Sequence, residues 1–336
     1  MRSVRLHGIR DLRVEDIDAP VAPGRHEVTL TLSMAGICGS DLHNYRTGAW
    51  ITRAPSVAGH EFTGKVTASG AGVAHVSVGD RVIVDSRHVC GTCCACRAGR
   101  AQVCENLGFL GETMDGGFAE AVTLPARNVI RAPDGVADRH LAMAEPLAVA
   151  LHTLKRLNPD PEAEIVIAGC GAIGGLVALL AAGRGHRVAV IDRMASRAAL
   201  VAEVTGGRVT DLDAAWKAAT RPRYAVDATG ASTVIARLAD GLAGGGALAL
   251  VGIGSGAAQL DPTGLVEREI SLLGCHAFQD ELHDISGLLP GLADRLDRLI
   301  DREIPLEDVP AAYDAHLAGQ IAGLKTIIRC QGGRDV

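Results

Sequence analysis

Apolar residues in this chain come in short runs that glycines interrupt, a pattern typical of buried strands alternating with helices. The clearest run, 165–168, is followed by a glycine-rich turn, an apolar helical stretch at 176–182, and a second apolar run at 187–191. This order predicts a complete β-α-β unit. Further strand, helix, strand and strand patterns continue it and predict a doubly wound parallel sheet. They lie at 224–230, 232–242, 247–252 and 270–274. A third strand at 208–210 is expected between the strand at 187–191 and the segment at 224–230.

The first third of the chain has a different pattern, with short strands separated by glycine-rich turns. These strands are expected at 28–35, 64–69, 81–85 and 118–123, and their spacing is typical of a β-barrel. Near the other end, leucines repeat along one side of a predicted helix at 282–300. A last strand at 323–330 is expected to return to the first domain. The 336 residues suffice for about two domains.

Charge and hydropathy exclude several classes of partner. Lys and Arg total 33 against 39 Asp and Glu, a net charge of −6, so the chain has no basic surplus for nucleic acid. Two uncharged stretches, 165–183 and 241–260, approach the length of a membrane span, but their glycines favour buried strands, so no membrane partner is expected. No apolar run follows the first charged residues, and we therefore expect a cytoplasmic protein.

Nine cysteines in a reducing compartment indicate thiolate ligands rather than disulfides. Cys90, Cys93, Cys96 and Cys104 form a C-x2-C-x2-C-x7-C array, which predicts a closed, four-thiolate, structural zinc site. An iron–sulfur cluster is the alternative, although the long last interval departs from the ferredoxin spacing. Cys94 could also substitute as a ligand.

A second group of candidate ligands mixes side-chain types, as open catalytic zinc sites do. Cys38 lies in a Gly-Ile-Cys-Gly-Ser-Asp-Leu-His segment, and His60 and Glu61 lie in a Gly-His-Glu segment. Glu145 could reach the same ion. A lone cysteine or a lone histidine is more simply a packing residue, but the combination of these residues predicts a metal site that leaves a position for substrate.

The glycines after the first strand of the β-α-β unit match the dinucleotide fingerprint. Gly169 allows the tight turn, Gly171 lets the backbone approach a pyrophosphate, and Gly174 lets helix and strand pack closely. Asp192, at the end of the second strand, is expected to bind the adenosine ribose and to favour NAD over NADP, a preference that Arg193 beside it tempers. A glycine-rich turn that binds no nucleotide is the alternative.

In this order, these motifs resemble the zinc-dependent medium-chain dehydrogenases/reductases over essentially the whole chain. Glu145, at a position where alcohol dehydrogenases carry cysteine, and the Cys38-Gly39-Ser40-Asp41 segment are similar to the polyol branch, which includes sorbitol, idonate and aminocyclitol dehydrogenases. The resemblance implies an α/β chain with a GroES-like β-barrel catalytic domain, 1–147 and 283–336. It also implies a Rossmann doubly wound NAD-binding domain at 148–282.

The resemblance also implies roles for single residues. Cys38, His60, Glu61 and Glu145 would surround the catalytic zinc, some of them through water. Ser40 would take the alcohol proton and His43 would pass it towards solvent, while Asp41 would steady His60. The implied cofactor contacts are Gly169, Gly171, Ala172, Ile173, Gly174, Asp192, Arg193, Arg197, Thr229, Gly230, Val251 and Gly252.

Together these features predict an enzyme with two zinc ions per chain that transfers a hydride between a secondary alcohol or polyol and NAD, giving a ketone. A small-molecule alcohol or ketone is the expected partner, and the resemblance implies a homodimer or homotetramer. The alternatives are a simple alcohol dehydrogenase, a quinone-type reductase, and a catalytically silent nucleotide-binding relative.

Overall fold

A computed structural model describes residues 1–217, 221–254 and 256–331. The chain divides into two compact units. The first unit runs from Met1 to Glu145 and resumes at Leu282, and the second unit runs from Pro146 to Glu281. The predicted functional division at 147/148 and 282/283 stays a prediction.

The strands and helices are numbered here in the order in which they occur along the chain. The strands are β1 (Arg2–Gly8), β2 (Asp11–Asp16), β3 (Glu27–Gly36), β4 (Ser56–Val57), β5 (Glu61–Ser69), β6 (Arg81–Val84), β7 (Arg87–His88), β8 (Gly108–Phe109), β9 (Ala121–Pro125), β10 (Val129–Arg131), β11 (Glu164–Ala168), β12 (Arg187–Ile191), β13 (Arg208–Val209), β14 (Tyr224–Asp227), β15 (Ala247–Leu250), β16 (Ser271–Gly274), β17 (Ile300–Pro305) and β18 (Lys325–Arg329). The helices are α1 (Gly39–Thr47), α2 (Cys94–Arg97), α3 (Asp138–Leu141), α4 (Ala144–Leu157), α5 (Ala172–Gly183), α6 (Ala195–Thr205), α7 (Leu212–Lys217), α8 (Ser232–Gly241), α9 (Pro262–Glu267), α10 (Glu281–Leu288), α11 (Ala293–Leu299) and α12 (Val309–Leu317).

The first unit is built around β3. Residues of β3 alternate between core and surface, so that Val28, Leu30 and Leu32 are fully buried. This strand pairs antiparallel with β5, β9 and β18 in a seven-stranded sheet. Six strands follow the order β10-β6-β5-β3-β18-β17, and β9, the seventh, pairs with β3 outside this order. The predicted return of the last strand to the first domain is therefore confirmed, and it brings the distant ends of the chain together beside β3.

The second unit is a six-stranded parallel sheet of order β13-β12-β11-β14-β15-β16. This is the strand order of dinucleotide-binding folds, in which ligands bind at the carboxyl ends of the strands. Side chains of β11 at Ile165, Val166 and Ile167 are fully buried, because helices cover both faces. The expected third strand is present as β13. The predicted α/β class, a GroES-like barrel with a Rossmann sheet, is confirmed.

The prediction of one continuous helix at 282–300 is wrong. A 3-10 turn at Leu289–Gly291 separates α10 from α11, because Pro290 lacks the N–H that a continuous helix needs. Leu296 and Leu299 are buried as expected, whereas Leu288 is 42% exposed. Across the described residues, no helix is long and apolar enough to cross a membrane.

Candidate metal centres and nucleotide loop

The start of α1 fixes the position of Cys38. This residue precedes the helix in an extended conformation, and its backbone N–H donates to Asp41 Oδ2 at 3.0 Å. A carboxylate in the first turn of a helix satisfies one of the free N–H groups there and interacts favourably with the helix dipole. Asp41 therefore holds the thiol at the first turn of α1.

His60 lies just before β5, in a turn that only glycine can make. Gly59 has a φ of +89°, and a Cβ atom there would lie 2.2 Å from the ring of Phe118. The Nδ1 atom of His60 is 3.1 Å from Asp41 Oδ1, which leaves Nε2 for another partner. Burial alone would lower the pKa of His60, but Asp41 and Cys38 outweigh it and raise this pKa well above its usual value.

Ligand atoms of Cys38, His60 and Glu61 all lie within 4.8 Å of one another. Ser40 Oγ donates to Cys38 Sγ at 3.1 Å and is 3.5 Å from His60 Nε2. Glu61 is fully buried, and its Oε1 makes no hydrogen bond within the described residues. A thiolate, an imidazole nitrogen and an unsatisfied carboxylate oxygen form a donor set that fits zinc.

The other Glu61 oxygen forms an ion pair with a lysine that sequence analysis missed. Lys325, the first residue of β18, is 1% exposed and contacts Glu61 Oε2 directly. Its ammonium group also donates to the carbonyl of Ile37 at 2.9 Å. Burial alone would lower the pKa of Lys325, but the carboxylate of Glu61 outweighs it and raises this pKa. The ion pair thus provides a counter-ion for the buried carboxylate of Glu61.

Two other predicted site residues are not members of this cluster. Glu145 opens α4 but is not one of the three clustered residues, and its Oε1 accepts from Ser86 at 3.1 Å. Burial raises the pKa of Glu145 to about 7. The His43 ring lies against Trp50, with centroids 4.9 Å apart.

The four-cysteine array forms a compact cluster. Ligand atoms of Cys90, Cys93, Cys96 and Cys104 all lie within 4.8 Å of one another. Cys104 Sγ is 3.4 Å from Cys90 Sγ and 3.8 Å from Cys93 Sγ. A tetrahedral zinc with sulfur ligands at about 2.3 Å places them about 3.8 Å apart, so these separations favour one ion over an iron–sulfur cluster.

Backbone amides of the same loop donate to the thiolate sulfurs. The N–H groups of Thr92 and Cys93 each lie 3.4 Å from Cys90 Sγ, and these hydrogen bonds lower the pKa of Cys90 to about 5. Cys94 lies outside the cluster, because its Sγ donates to Glu105 Oε1 at 3.2 Å and it is exposed. No disulfide links any of the nine cysteines, all of which lie in the described residues.

In the second unit, the glycine-rich turn has the geometry of a phosphate cradle. Gly169 has a φ of +95°, and a Cβ atom on Gly174 would lie 1.7 Å from the Gly169 carbonyl oxygen. A Cβ atom on Gly171 would meet nothing within 4 Å, so this side of the turn is open. Ala172 and Ile173 follow as the first residues of α5, whose N-terminus favours an anion. The glycine turn and the start of α5 therefore fit the pyrophosphate of a dinucleotide.

Asp192 joins this turn to the end of β12. Its Oδ2 accepts from the Cys170 N–H at 2.6 Å, and its Oδ1 accepts from the Met194 N–H at 2.7 Å. A carboxylate has about four lone-pair sites, so two remain for ribose hydroxyls. Arg193 is exposed beside it, and Arg197 lies half-buried in the first turn of α6.

The remaining predicted cofactor residues follow the ends of β14 and β15. The buried side chain of Asp227 fixes Thr229 and Gly230, because it accepts hydrogen bonds from Thr229 Oγ1 at 2.6 Å and from the Gly230 N–H at 3.0 Å. Val251 and Gly252 each donate a backbone N–H to the Asp227 carbonyl at 2.9 Å. Asp227 was not predicted as a site residue, although an acid directly after an apolar strand could have indicated it.

Comparisons with known proteins agree with this geometry. Residues 24–134 match the alcohol dehydrogenase GroES-like domain, and residues 172–294 match the zinc-binding dehydrogenases. A 2-dehydro-3-deoxy-L-galactonate 5-dehydrogenase from Pseudoalteromonas atlantica is 31% identical over 321 residues, which cover 92% of this chain and 93% of that protein.

Solved structures with related sequences cover both units. The RspB alcohol dehydrogenase of Escherichia coli CFT073, complexed with NADH, has a TM-score of 0.88 at 27% identity and covers 98% of this chain and 99% of its own. The 2R,3R-butanediol dehydrogenase of Bacillus subtilis has a TM-score of 0.90 at 26% identity, with coverages of 98% and 99%.

The chain therefore belongs to the zinc-dependent medium-chain dehydrogenase/reductase family. The predicted likeness to the polyol branch and the predicted class of enzyme, an NAD(P)-dependent zinc alcohol or polyol dehydrogenase, are confirmed. The predicted cofactors, zinc and a nicotinamide dinucleotide, are confirmed as those of the family. The predicted small-molecule substrate also agrees with the dehydrogenases to which the chain is similar.

Proposed function

We propose that this protein oxidises a secondary hydroxyl group of a polyol, sugar acid or cyclitol to a ketone and transfers the hydride to NAD. The observation that carries this proposal is the grouping of Cys38, His60 and Ser40, with Asp41 holding the second ring nitrogen of His60. The names of the relatives support the substrate class, since they act on a galactonate derivative and on butanediol.

In this proposal Cys38 Sγ, His60 Nε2 and a Glu61 oxygen would hold the catalytic zinc, and Glu145 would act directly or through water. A zinc ion bound there lowers the pKa of a bound hydroxyl group and polarises a carbonyl. The Asp41 carboxylate lies 3.1 Å from Nδ1 of His60 and would favour a proton there when Nε2 binds the metal. Cys90, Cys93, Cys96 and Cys104 would hold the structural zinc.

Ser40 Oγ would accept the proton of the substrate hydroxyl group. Its distances of 3.1 Å to Cys38 Sγ and 3.5 Å to His60 Nε2 support this role, because a substrate oxygen held beside those atoms also lies beside Ser40. His43 is three residues further along α1, on the same side of the helix, and would carry the proton towards solvent.

The second unit, 148–282 in the predicted division, would bind NAD. The open side of Gly171 and the N-terminus of α5 would receive the pyrophosphate, and the free lone pairs of Asp192 would bind the ribose. The relative from E. coli CFT073 that was solved with NADH supports this cofactor. NADP is the less favoured alternative, because its 2′-phosphate would meet the Asp192 carboxylate.

We also propose a homodimer or homotetramer in the cytoplasm. The outer edge of β16, whose end residues Ser271 and Gly274 are exposed, leaves backbone groups available to a second copy, and Val266 nearby is 76% exposed. The thiols of the two cysteine groups need a reducing compartment to remain ligands.

The test is NADH formation by the zinc-loaded protein over a panel of polyols, aminocyclitols, sugar acids and simple secondary alcohols. Ser40→Ala is the diagnostic variant and Ser3→Ala, at a fully buried serine of β1, is its matched control. We expect turnover with at least one polyol-type substrate and a loss of about 10²-fold or more in kcat for Ser40→Ala only. Turnover of simple alcohols only would favour a simple alcohol dehydrogenase, and no turnover would favour the catalytically silent alternative.

A further inference from the structure

One aromatic contact at α1 has no role in the proposed mechanism. The rings of His43 and Trp50 lie with their centroids 4.9 Å apart and their planes at 37° to each other. Centroid separations of about 4.5–7 Å are those at which aromatic rings attract one another. His43 belongs to α1, whereas Trp50 follows the helix, and both side chains are half-buried. The contact therefore depends on how the chain turns after α1.

Hydrogen bonds fix the turn that carries Trp50. The helix is followed by Gly48, whose φ of +70° lies in the left-handed region that favours glycine. Asn44 anchors the turn twice, since its carbonyl accepts from the Gly48 N–H at 2.7 Å and its Oδ1 accepts from the Trp50 N–H at 2.9 Å. Asn44 is itself 4% exposed, so neighbouring residues hold this anchor in place. The turn thus places Trp50 against the ring of His43.

The ring of His43 is restrained differently from that of His60. Asp41 Oδ1 lies 3.1 Å from Nδ1 of His60 and fixes that ring by a polar contact. In the part of the chain that the structure describes, the imidazole of His43 has no hydrogen-bond or ion-pair partner. A histidine ring turns about two side-chain bonds, so packing limits its rotamers where no hydrogen bond does. The contact with Trp50 supplies such packing.

Proton transfer depends on the orientation of this ring. In the proposed mechanism Ser40 Oγ accepts the proton of the substrate hydroxyl group and gives its own proton to a ring nitrogen of His43, which then releases a proton to water. Such a transfer needs the two heavy atoms within hydrogen-bond reach, about 2.6–3.2 Å. Ser40 Oγ is fixed by its hydrogen bond to Cys38 Sγ at 3.1 Å. The orientation of the His43 ring therefore decides whether the proton can pass.

We propose that Trp50 is a positioning residue, whose indole holds the ring of His43 in the orientation that takes the proton from Ser40. This inference rests on the proposed function, and it adds a residue to the proton path. A wall of the substrate pocket is the other role open to an indole in this place, and the test separates the two roles.

The test measures NADH formation in the first turnover, by stopped flow, for the zinc-loaded enzyme with NAD and a polyol that it oxidises. The variants are Trp50→Ala, Trp50→Phe, His43→Ala and the double variant of Trp50→Ala with His43→Ala. Trp50→Leu takes the place of Trp50→Ala if the alanine variant does not fold. Ile51→Ala is the matched control, because Ile51 follows Trp50 in the same turn and packs against the core of the first unit.

We expect Trp50→Ala to lower the first-turnover rate about tenfold with little change in KM, whereas Trp50→Phe and Ile51→Ala keep most of the rate. Added imidazole should restore part of the rate of Trp50→Ala, because a base in solution replaces the misplaced ring. In the His43→Ala background, Trp50→Ala should cause no further loss, since a positioning residue acts through His43. An equal loss in both backgrounds, or a loss in KM alone, overturns the inference and leaves the proposed function standing.

Nuclear magnetic resonance of protein labelled with carbon-13 in its histidine rings tests the same contact without turnover. The Cε1–H signal of His43 is identified by its loss in His43→Ala. We expect the indole ring current to shift this signal in wild type, and the shift to be lost in Trp50→Ala and kept in Ile51→Ala. An identical signal in wild type and Trp50→Ala overturns the inference. The expected loss of the shift, in a protein that oxidises no secondary alcohol, supports the positioning of His43 by Trp50 and refutes the proposed function.

Discussion

Replacement of Lys325 by methionine tests the buried ion pair beside the candidate metal site. Methionine has a similar length without charge, so the variant leaves Glu61 as a buried carboxylate without its counter-ion. Both side chains are at most 1% exposed. Removing one partner of a buried pair costs about 3–5 kcal/mol, because the remaining charge is uncompensated. For a domain of this size we expect the melting temperature to fall by roughly 6–20 °C.

The loss of stability can be measured by urea unfolding, with tryptophan fluorescence as the signal. The chain has one tryptophan in each unit, Trp50 and Trp216, so a Trp216→Phe background reports on the first unit alone. Lys65→Met is the matched control, because Lys65 is an exposed lysine on the same strand as Glu61 and should change stability by about 0.5 kcal/mol at most.

A double variant separates the ion pair from simple packing. Adding Glu61→Gln to Lys325→Met removes the uncompensated charge, so the double variant should be more stable than Lys325→Met alone by about 1 kcal/mol or more. The stabilising role of the buried pair would be refuted by either of two results. Lys325→Met would lower the free energy of unfolding no more than Lys65→Met does, or adding Glu61→Gln to Lys325→Met would lower it further.

Three further predictions concern the metals, the cofactor and the pH dependence of stability. Cys96→Ser should lose one zinc ion per chain by elemental analysis and should have a lower melting temperature. Cys38→Ser should also lose one zinc ion, together with all turnover, but should keep the melting temperature of the wild type. Equal stability of the two variants would contradict the separate roles of the two metal sites. Asp192→Ala should lower the NAD-to-NADP ratio of kcat/KM about tenfold or more, and an unchanged ratio would remove its assigned role. Hydrogen bonds from Arg139 and His140 lower the pKa of Asp297 to about 2, so its contribution to stability is present above about pH 4 and is lost as the pH falls towards 2. Acid titration of unfolding should therefore be flatter in Asp297→Asn, and an identical profile would count against this contribution.

Local patterns predicted much of the fold. The glycine turn at 169–174 and the alternating apolar runs predicted the parallel sheet, because both follow from neighbouring residues. The break at Pro290 was also visible in the sequence, but the leucine period outweighed it and the predicted helix was too long.

Long-range partners could not be predicted in this way. The contact between Glu61 and Lys325 depends on β18 pairing with β3, and no local spacing encodes that pairing. A lysine at the start of an apolar strand was the available signal.

Two metal ions in two different environments are what this chain is proposed to hold. Anomalous diffraction at the zinc absorption edge, from crystals of the zinc-loaded protein, would show both ions in one experiment. We predict one peak among the sulfurs of Cys90, Cys93, Cys96 and Cys104, and a second between Cys38 Sγ and His60 Nε2. A crystal with no second peak, and with the Cys38 and His60 side chains turned away from each other, would contradict the account.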